Sequence, residues 1–303
     1  MRKCSVVSLC MPEVPDTVPE ANMERAEKWI DTAAALSPDL ICLPEVFTQI
    51  SVPFAVDRVK NAEMCRARLS HKAKTLGCYI IAGLIEPING SLYNTAWLID
   101  RQGHIAGRYV KFYPTDYEMN AGILPGTEIP VFQTDFGTVG ILICFDIDWP
   151  GIWTEMARKG AEMVVWISAY DGGYPLAAYA AINRYYVVSS VRSHHSRIID
   201  PAGKEIAVSS KWANMTHAVI GMDQTWFHVD RQYDILPLMI KDLGNRVTVT
   251  TYDEENRFTL SSNDPEWPME RIIRTYGLVT FDDYHARIEA MQIKARGGAG
   301  RLI

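Results

Sequence analysis

Apolar and polar residues follow two different periods along the first two thirds of the chain, and together they predict an α/β fold. Short apolar runs, typical of buried strands, occupy residues 4–10, 40–43, 79–84, 138–143 and 163–168. Between these runs, apolar residues recur at helical spacing over residues 20–36, 59–76, 149–159 and 175–188. Strands that alternate with helices along a chain favour the α/β class.

Turn residues between further strand-like runs predict hairpins over residues 92–110, 198–206 and 246–261. In the first hairpin, Gly103 lies in a polar connection at a point where a positive φ is needed. Helical spacing returns over residues 266–276 and 284–294, and residues 297–300 are predicted to be a loose end.

No internal repeat, low-complexity tract or linker interrupts these elements. We therefore expect one domain over residues 1–277 and a C-terminal helix and tail over residues 278–303. Within the domain, segment 231–277 is expected to be an extension, with two candidate roles: it covers the mouth of a pocket, or it forms an oligomer surface.

Composition and charge exclude several kinds of partner. The chain has 303 residues, of which 48% are hydrophobic, so it can bury a large core. A formal net charge of -6 leaves no basic stripe for phosphates, so neither nucleic acid nor a membrane surface is expected as a partner. Small molecules or other proteins are the expected partners.

The chain is expected to be cytoplasmic. It has no apolar run near the roughly 18 residues that a membrane span needs, and the apolar part of its N-terminus is too short for a signal peptide. The six cysteines, at positions 4, 10, 42, 65, 78 and 144, form neither a CxxC pair nor a short cluster with histidine. Reduced thiols and no structural zinc are therefore expected.

Cys144 is the first candidate for chemistry, because it ends the apolar run 138–143 just before the chain breaks at Pro150 and Gly151. A strand can deliver a nucleophile to a sheet edge in this way. However, free cysteines are usually buried core residues, and Cys42 has nearly the same local pattern. Information from the rest of the chain is needed to separate the two.

Histidine, the usual base for a catalytic cysteine, does not provide that information. The seven histidines lie mostly in helix faces, turns and loops, so none is marked as the partner of Cys144. The pair His194 and His195 suggests a metal site or a proton relay. Adjacent residues on a strand point to opposite faces, however, so a structural or solvent-facing role is predicted for both.

Glu45 and Lys111 offer a different pairing, because each of them also follows a predicted strand. Open α/β sheets place functional groups outside the carboxyl ends of their strands, so a carboxylate, an ammonium and a thiol can converge there. Taken singly, Glu45 is ordinarily explained as a solvated acid and Lys111 as a charge at the edge of a sheet.

With these residues in order, the chain resembles the nitrilase superfamily of carbon-nitrogen hydrolases over about residues 4–225. The resemblance rests on the segments Leu43-Pro44-Glu45, Tyr93-Asn94-Thr95-Ala96, Gly107-Arg108-Tyr109-Val110-Lys111, Leu124-Pro125-Gly126, Gly140-Ile141-Leu142-Ile143-Cys144-Phe145-Asp146 and Ile199-Asp200-Pro201-Ala202-Gly203. It implies a four-layer α-β-β-α sandwich that pairs with further copies, as a homodimer or a higher homo-oligomer.

The resemblance also implies roles for the site residues. Glu45 would be the general base, Cys144 the nucleophile, and Lys111 with the backbone N–H of Phe145 would stabilise the oxyanion. Glu118 falls where the family often has a second glutamate, with a solvated loop acid as its ordinary explanation and Asp116 as a neighbouring competitor. No cofactor or metal is implied. Mutual pKa shifts are expected to let a thiolate and a carboxylic acid coexist at neutral pH.

The implied activity is an amidase-type hydrolysis of a small linear amide or carbamoyl compound through a cysteine thioester, with release of ammonia. A nitrilase acting on a small nitrile uses the same thiol addition, and an acyltransferase is a further variant. A non-catalytic binding or scaffold relative with the same fold is the alternative of another class.

Three residues near Cys144 are candidates for substrate contact: Asp148, Trp149 and Tyr170. Relatives that act on N-carbamoyl amino acids often have arginine where this chain has Ile147 and Asp148, so we hypothesise that Asp148 disfavours carboxylate-bearing substrates. Helix capping is an equally good use of Asp148. The two aromatic residues are expected to line the acyl pocket, although aromatic residues at such positions more often belong to the core.

Overall fold

The computed structural model describes residues 2–52 and 56–298. This part of the chain divides into two compact units, a larger one of residues 3–220 and a smaller one that combines Arg2 with residues 221–298. Each unit has its own apolar core. The expectation of one domain over residues 1–277 stays a prediction.

The helices and strands of the larger unit alternate much as expected. Its helices are α1 Pro19–Ala33, α2 Arg58–Leu76, α3 Asp116–Asn120, α4 Pro150–Arg158 and α5 Tyr174–Asn183. Its strands are β1 Lys3–Leu9, β2 Leu40–Cys42, β3 Tyr79–Ile88, β4 Ser91–Ile99, β5 Ile105–Val110, β6 Val131–Gln133, β7 Thr138–Ile143, β8 Met163–Ser168, β9 Tyr186–Val191, β10 Arg197–Ile199, β11 Glu205–Val208 and β12 Met215–Gly221.

These strands form two sheets, with the orders β12-β1-β2-β3-β4-β5 and β11-β10-β9-β8-β7-β6. In the second sheet, β7, β8 and β9 are parallel. The sheets stack face to face, since Ser8 Oγ of β1 donates a hydrogen bond of 2.6 Å to Ser189 O of β9. Ser190 Oγ likewise donates to Cys42 O at 3.1 Å.

Helices cover the outer face of each sheet. Met23 and Ile30 of α1 and Leu69 of α2 are buried against apolar residues of the first sheet, and each such side chain contributes about 1.5–3 kcal/mol on burial. On the second sheet, α4 and α5 meet where the rings of Trp153 and Tyr179 stack at 4.4 Å. The α-β-β-α sandwich is therefore confirmed.

One predicted helix of the larger unit extends too far. The helix predicted over residues 175–188 ends as α5 at Asn183, because Arg184 adopts a left-handed conformation with φ of 58°. The valine-rich residues of β9 follow and continue the sheet. A short apolar run fits either period, and here the β-branched side chains pack between neighbouring strands.

The two adjacent histidines also lie elsewhere than expected, in bends between β9 and β10 rather than on a strand. The Nδ1 atom of His195 lies 3.1 Å from Asp171 Oδ2, and the backbone N–H groups of His194 and His195 donate to Asp171 Oδ1. Both side chains are exposed. Asp171 therefore organises this turn, which gives the pair the predicted structural role.

The smaller unit contains β13 Thr225–His228, α6 Ile235–Leu243, β14 Val247–Tyr252, β15 Arg257–Ser262, α7 Met269–Tyr276 and α8 Phe281–Ala295. Its sheet has the order β13-β15-β14, so the hairpin predicted over 246–261 is confirmed. Of the predicted loose end, residues 299 and 300 lie outside the described residues. Within the described part of the chain, no helix has the length and apolarity to cross a membrane.

Candidate active site

Glu45, Lys111 and Cys144 line one cavity of about 430 Å³ in the larger unit. Each of them follows a strand: Glu45 comes after β2, Lys111 after β5, and Cys144 after β7. Their exposed fractions are 4%, 1% and 9%. The structure thus brings the three predicted groups together in a pocket where they have little access to solvent and their charges interact strongly.

Lys111 is the cation between two carboxylates. Its Nζ atom lies 3.0 Å from Glu45 Oε1 and 2.8 Å from Glu118 Oε2. The side-chain amide of Asn94 donates to both acids as well, at 2.8 Å to Glu45 and 2.6 Å to Glu118. These contacts fix the positions of both carboxylates relative to the cation.

Glu118 belongs to a helix rather than to the loop that the sequence suggests. It is the third residue of α3, where it forms a capping box with Thr115 and accepts hydrogen bonds of 2.8 and 3.0 Å from the backbone N–H and hydroxyl of that residue. Asp116, its competitor, is exposed and accepts a bond from the N–H of Tyr117. Of the two acids, only Glu118 lines the cavity.

Burial and charge shift the pKa values of these groups in different directions. Burial lowers the pKa of Lys111, but the negative charges of Glu45 and its neighbours outweigh that effect, so its pKa is raised. Burial raises the pKa of Glu118, and the charge and hydrogen bond of Lys111 reverse this, so its pKa is lowered. Both groups are therefore ionised at neutral pH.

The thiol behaves differently from the expectation of a thiolate. Burial and, after it, the charge of Glu45 raise the pKa of Cys144 to about 12, because the charge of Lys111 opposes them only in part. A raised pKa favours the neutral thiol, so it does not support the thiolate that was expected beside a carboxylic acid in the resting site. Cys144 is neutral at neutral pH, so it needs a base when it reacts.

The chain turns sharply at Cys144, which has a φ of 47° and begins the 3₁₀-helix Cys144–Asp148. The carboxylate of Asp146 holds this turn by accepting bonds from the N–H groups of Ile143 and Tyr113, each at 2.9 Å, and from the hydroxyl of Tyr109 at 2.7 Å. Burial raises the pKa of Asp146 to about 6 despite these bonds. Left-handed conformations of this kind are often found at functional sites.

The backbone is also strained and closely packed at Glu45, just after β2. The next residue, Val46, has a φ of 50°, which is rare for a β-branched residue. Gly83 of β3 runs directly behind it: a Cβ atom at this position would lie 2.8 Å from the Cα atom of Glu45 and 2.6 Å from Ile167 Cδ1. The absence of a side chain at Gly83 lets the backbone of Glu45 reach its position.

The predicted substrate contacts do not line this cavity. Asp148 is exposed, and it does not cap the next helix, because α4 begins after Trp149 without a side-chain cap. The ring of Trp149 stacks on Tyr113 at 4.0 Å, and Tyr170 packs edge-on against Trp166. The roles predicted for Asp148, Trp149 and Tyr170 in substrate binding stay predictions.

Sequence reasoning missed other residues of the cavity wall. Arg192 follows β9, and the sequence gives it no role because the predicted helix 175–188 takes up the first part of that strand. Gln49 lies in the 3₁₀-helix Phe47–Gln49, and no sequence signal marks it. Asn94 falls within one of the quoted motifs, although the motif alone does not indicate its contacts.

Residues 7–225 match the carbon-nitrogen hydrolase family. The chain belongs to this family. As a carbon-nitrogen hydrolase, it is an amidase-like member of the nitrilase superfamily.

Among the residues described, no group of three or more His, Cys, Asp or Glu side chains is arranged to hold a metal ion.

Known carbon-nitrogen hydrolases are similar in sequence and in fold. The omega-amidase NIT3 of Saccharomyces cerevisiae is 27% identical over 237 residues, which cover 65% of this chain and 80% of the relative. A nitrilase of Pyrococcus abyssi is 30% identical over 206 residues, covering 64% and 77%. The crystal structure of an amidase from Nesterenkonia sp. has a TM-score of 0.66 at 21% identity, covering 73% and 91%.

Proposed function

We propose that this carbon-nitrogen hydrolase is an amidase, which hydrolyses a small linear amide or carbamoyl compound through a thioester on Cys144 and releases ammonia. The observation that carries the proposal is the convergence of Glu45, Lys111 and Cys144 in one buried cavity. The name of one relative, an omega-amidase, agrees with an amide substrate, whereas that of another, a nitrilase, agrees with the alternative substrate, a nitrile.

The first step requires a base, because the thiol is neutral. Glu45 takes the proton from Sγ of Cys144 as the sulfur attacks the carbonyl carbon, which forms the C–S bond and moves an electron pair onto the carbonyl oxygen. Glu45 then gives this proton to the amide nitrogen. The C–N bond breaks, ammonia leaves, and a thioester remains.

Negative charge on the oxygen is stabilised by Lys111 and by the backbone N–H of Phe145. Lys111 is ionised, since its pKa is raised. Phe145 lies in the first turn of the 3₁₀-helix Cys144–Asp148, where N–H groups lack acceptors within the helix. Donors of this kind, already in place before the reaction, are the usual source of oxyanion stabilisation.

The second half of the reaction repeats the roles with water. Glu45 removes a proton from a water molecule, the oxygen attacks the thioester carbon, and the C–S bond breaks as the sulfur regains a proton. Glu118 assists by holding Lys111 and Asn94 in place from the other side of the cation. The product is a carboxylic acid, and the free thiol is restored.

The decisive experiment is a screen for ammonia release over linear amides, carbamoyl compounds and nitriles. We expect turnover of at least one amide, and a loss of about a thousandfold or more in Cys144→Ala. Cys42→Ala is the matched control, since Cys42 is also a buried thiol at the end of a strand. Acid-quenched enzyme should carry an acyl group on the peptide that contains Cys144.

Other outcomes of the screen identify the alternatives. Turnover of nitriles without amides would make the protein a nitrilase, and no turnover of any compound would favour a binding or scaffold protein. Activity that survives Cys144→Ala would contradict the mechanism. We also expect a homodimer or higher homo-oligomer, which analytical ultracentrifugation can test.

A further inference from the structure

Three aromatic side chains hold backbone carbonyl oxygens of the 3₁₀-helix Cys144–Asp148. They come from three different elements, α4, β8 and α5. The hydrogen bonds run from Trp166 Nε1 to Cys144 O at 2.9 Å, from Trp153 Nε1 to Asp146 O at 3.2 Å and from Tyr179 Oη to Ile147 O at 2.8 Å. The carbonyl side of this turn is therefore fixed by the helices and the strand that surround it.

The bond from Trp166 is made to the peptide unit between Cys144 and Phe145. That unit contains the carbonyl oxygen of Cys144 and the N–H of Phe145, and it is trans. In a planar trans peptide the C=O and N–H groups point in opposite directions. An indole that holds the carbonyl oxygen therefore also sets the direction of the N–H, which is the proposed oxyanion donor.

The indole of Trp166 is itself held firmly. Trp166 is 0% exposed. The ring of Tyr170 packs edge-on against it, with 5.4 Å between the ring centroids. The backbone of Gly172 also lies against the indole, because a Cβ atom at this position would be 2.9 Å from both Cζ3 and Cη2 of Trp166. A side chain packed this closely presents its N–H in one direction.

The same strand contacts the thiol. Ile143 of β7 lies opposite Ile167 of β8, so Cys144 comes beside Ser168. Burial raises the pKa of Cys144 to about 12, and a hydrogen bond with the hydroxyl of Ser168 is among the effects that oppose it. Side chains alternate along a strand, so Trp166 and Ser168 share one face of β8. That face therefore contacts Cys144 at its carbonyl oxygen and at its sulfur.

The backbone at Cys144 needs such contacts. Its φ of 47° is left-handed, and a strained conformation of this kind persists only where the surrounding structure holds it. We infer that Trp166 is a positioning residue, which keeps the N–H of Phe145 directed at the oxygen of the substrate carbonyl. This inference rests on the proposed function. Without the indole N–H, the peptide after Cys144 can rotate and turn its N–H away from the cavity.

The test compares two tryptophans that bond to the same turn. Trp166→Phe removes the donor to Cys144 O, whereas Trp153→Phe removes the donor to Asp146 O, in a peptide unit that supplies no proposed oxyanion donor. Both residues are 0% exposed, so the two variants lose similar packing. We expect kcat on the best amide to fall about thirtyfold or more in Trp166→Phe but less than about threefold in Trp153→Phe, with KM nearly unchanged in both.

An aldehyde analogue of the same amide reports on the oxyanion itself. The sulfur of Cys144 adds to the aldehyde carbon, the thiol proton passes to Glu45, and an electron pair moves onto the oxygen, which then lies where the oxyanion of the reaction would lie. The inhibition constant of the aldehyde should rise about tenfold or more in Trp166→Phe and stay within about threefold in Trp153→Phe.

Modification of the thiol provides the readout for intact structure. Methyl methanethiosulfonate transfers a methylthio group to the sulfur of Cys144 and releases methanesulfinate, so no carbonyl oxyanion forms. Its rate at Cys144 should therefore be nearly the same in the wild type, Trp166→Phe and Trp153→Phe. A loss of structure around the turn would change this rate together with kcat.

An isostere separates the N–H from the size of the ring. Site-specific replacement of Trp166 by 3-benzothienylalanine keeps the bicyclic shape but has sulfur in place of the N–H. This variant should show the same fall in kcat and the same rise in the inhibition constant as Trp166→Phe. It also provides the test if the phenylalanine variant does not fold.

Three results would overturn the inference: an unchanged kcat without the N–H of Trp166, an unchanged inhibition constant of the aldehyde, or equal losses in the Trp166 and Trp153 variants together with slower thiol modification. Each of them leaves the proposed function standing, because the wild type still hydrolyses an amide. If the wild type hydrolyses no amide in the wider screen, the proposed function itself fails, and the inference fails with it.

Discussion

The Nζ atom of Lys111 lies 2.8 Å from Oε2 of Glu118, slightly closer than its distance of 3.0 Å to Glu45. The cation is therefore shared, and the second glutamate is as much a part of the buried network as the first. Charge-assisted contacts of this kind are short and strong where water is excluded. Glu118 consequently influences where Lys111 can place its charge during the reaction.

Replacing Glu118 should lower turnover without destroying the fold. Glu118→Gln keeps the shape of the side chain but removes one of the two negative charges at Lys111. We expect kcat to fall by about a hundredfold, within the range for groups that assist proton transfer. Steady-state kinetics with the best amide measure the effect. Asp116→Asn is the matched control, and an equal loss in that variant would contradict the assignment.

The charge of Glu45 should be visible in the ionisation of Cys144. Glu45 is among the causes that raise the pKa of Cys144 to about 12, so Glu45→Gln should lower that pKa. The rate of alkylation of Cys144 by iodoacetamide, followed by peptide mass spectrometry, should then reach its midpoint at a lower pH than in the wild type. Turnover should fall at the same time, because the base is lost.

A fall in turnover together with a lower alkylation midpoint distinguishes a base from a merely structural acid. A structural acid would lower turnover without moving the alkylation midpoint. Asp116→Asn again provides the control, since an exposed carboxylate should leave the midpoint where it is. A midpoint that stays or rises in Glu45→Gln would show that the charge of Glu45 does not act on the thiol.

The sequence predicted the parts of the site that depend on local patterns. Glu45, Lys111 and Cys144 each follow an apolar run, and β7 and β8 have the predicted bounds, because buried parallel strands are continuous apolar segments with clear ends. Parts that depend on tertiary contacts were not predictable in this way. The bonds of Asp146 to Tyr109 and Tyr113 join positions more than 30 residues apart.

Arg192 shows how an error in one element hides a functional candidate. Its strand, β9, has an apolar pattern that fits a continuation of α5, and only the left-handed turn at Arg184 separates the two. The predicted helix ends at Val188, so the sequence predicts no strand whose end would place Arg192 at the edge of the sheet. Arg192, which lines the cavity, therefore had no predicted role.

The close approach at Gly83 should make even a methyl group harmful. In Gly83→Ala, the new Cβ atom would lie 2.8 Å from the Cα atom of Glu45, so one of the two backbones must move. We expect a loss of about 1–3 kcal/mol in the free energy of unfolding from overpacking. A shift of about 1 Å in Glu45, the proposed base, should also lower kcat by about a hundredfold.

Urea denaturation and steady-state kinetics measure the two effects of Gly83→Ala. Gly151→Ala is the matched control, because a Cβ atom at Gly151 in α4 would meet no atom within 4 Å. Alanine is the better helix former, so this variant should be unchanged or slightly more stable. Full activity of Gly83→Ala would show that Glu45 does not depend on this contact.

The turn at Cys144, the proposed nucleophile, should depend on both oxygens of Asp146. Asn has one acceptor oxygen, so Asp146→Asn leaves the N–H of either Ile143 or Tyr113 without a partner. We expect the free energy of unfolding to fall by about 1–3 kcal/mol, the cost of an unsatisfied buried group. Because Cys144 lies within the same turn, kcat should fall more than KM rises.

Tyr109→Phe tests the same turn with a smaller change. It removes the hydroxyl bond of 2.7 Å to Asp146 and leaves both backbone bonds to the carboxylate in place. Its loss of kcat should therefore be smaller than that of Asp146→Asn, although the N–H of Phe112 also loses its acceptor. Urea denaturation and amide kinetics on both variants give the comparison. A larger loss in Tyr109→Phe would mean that the tyrosine, rather than the carboxylate, holds the nucleophile in position.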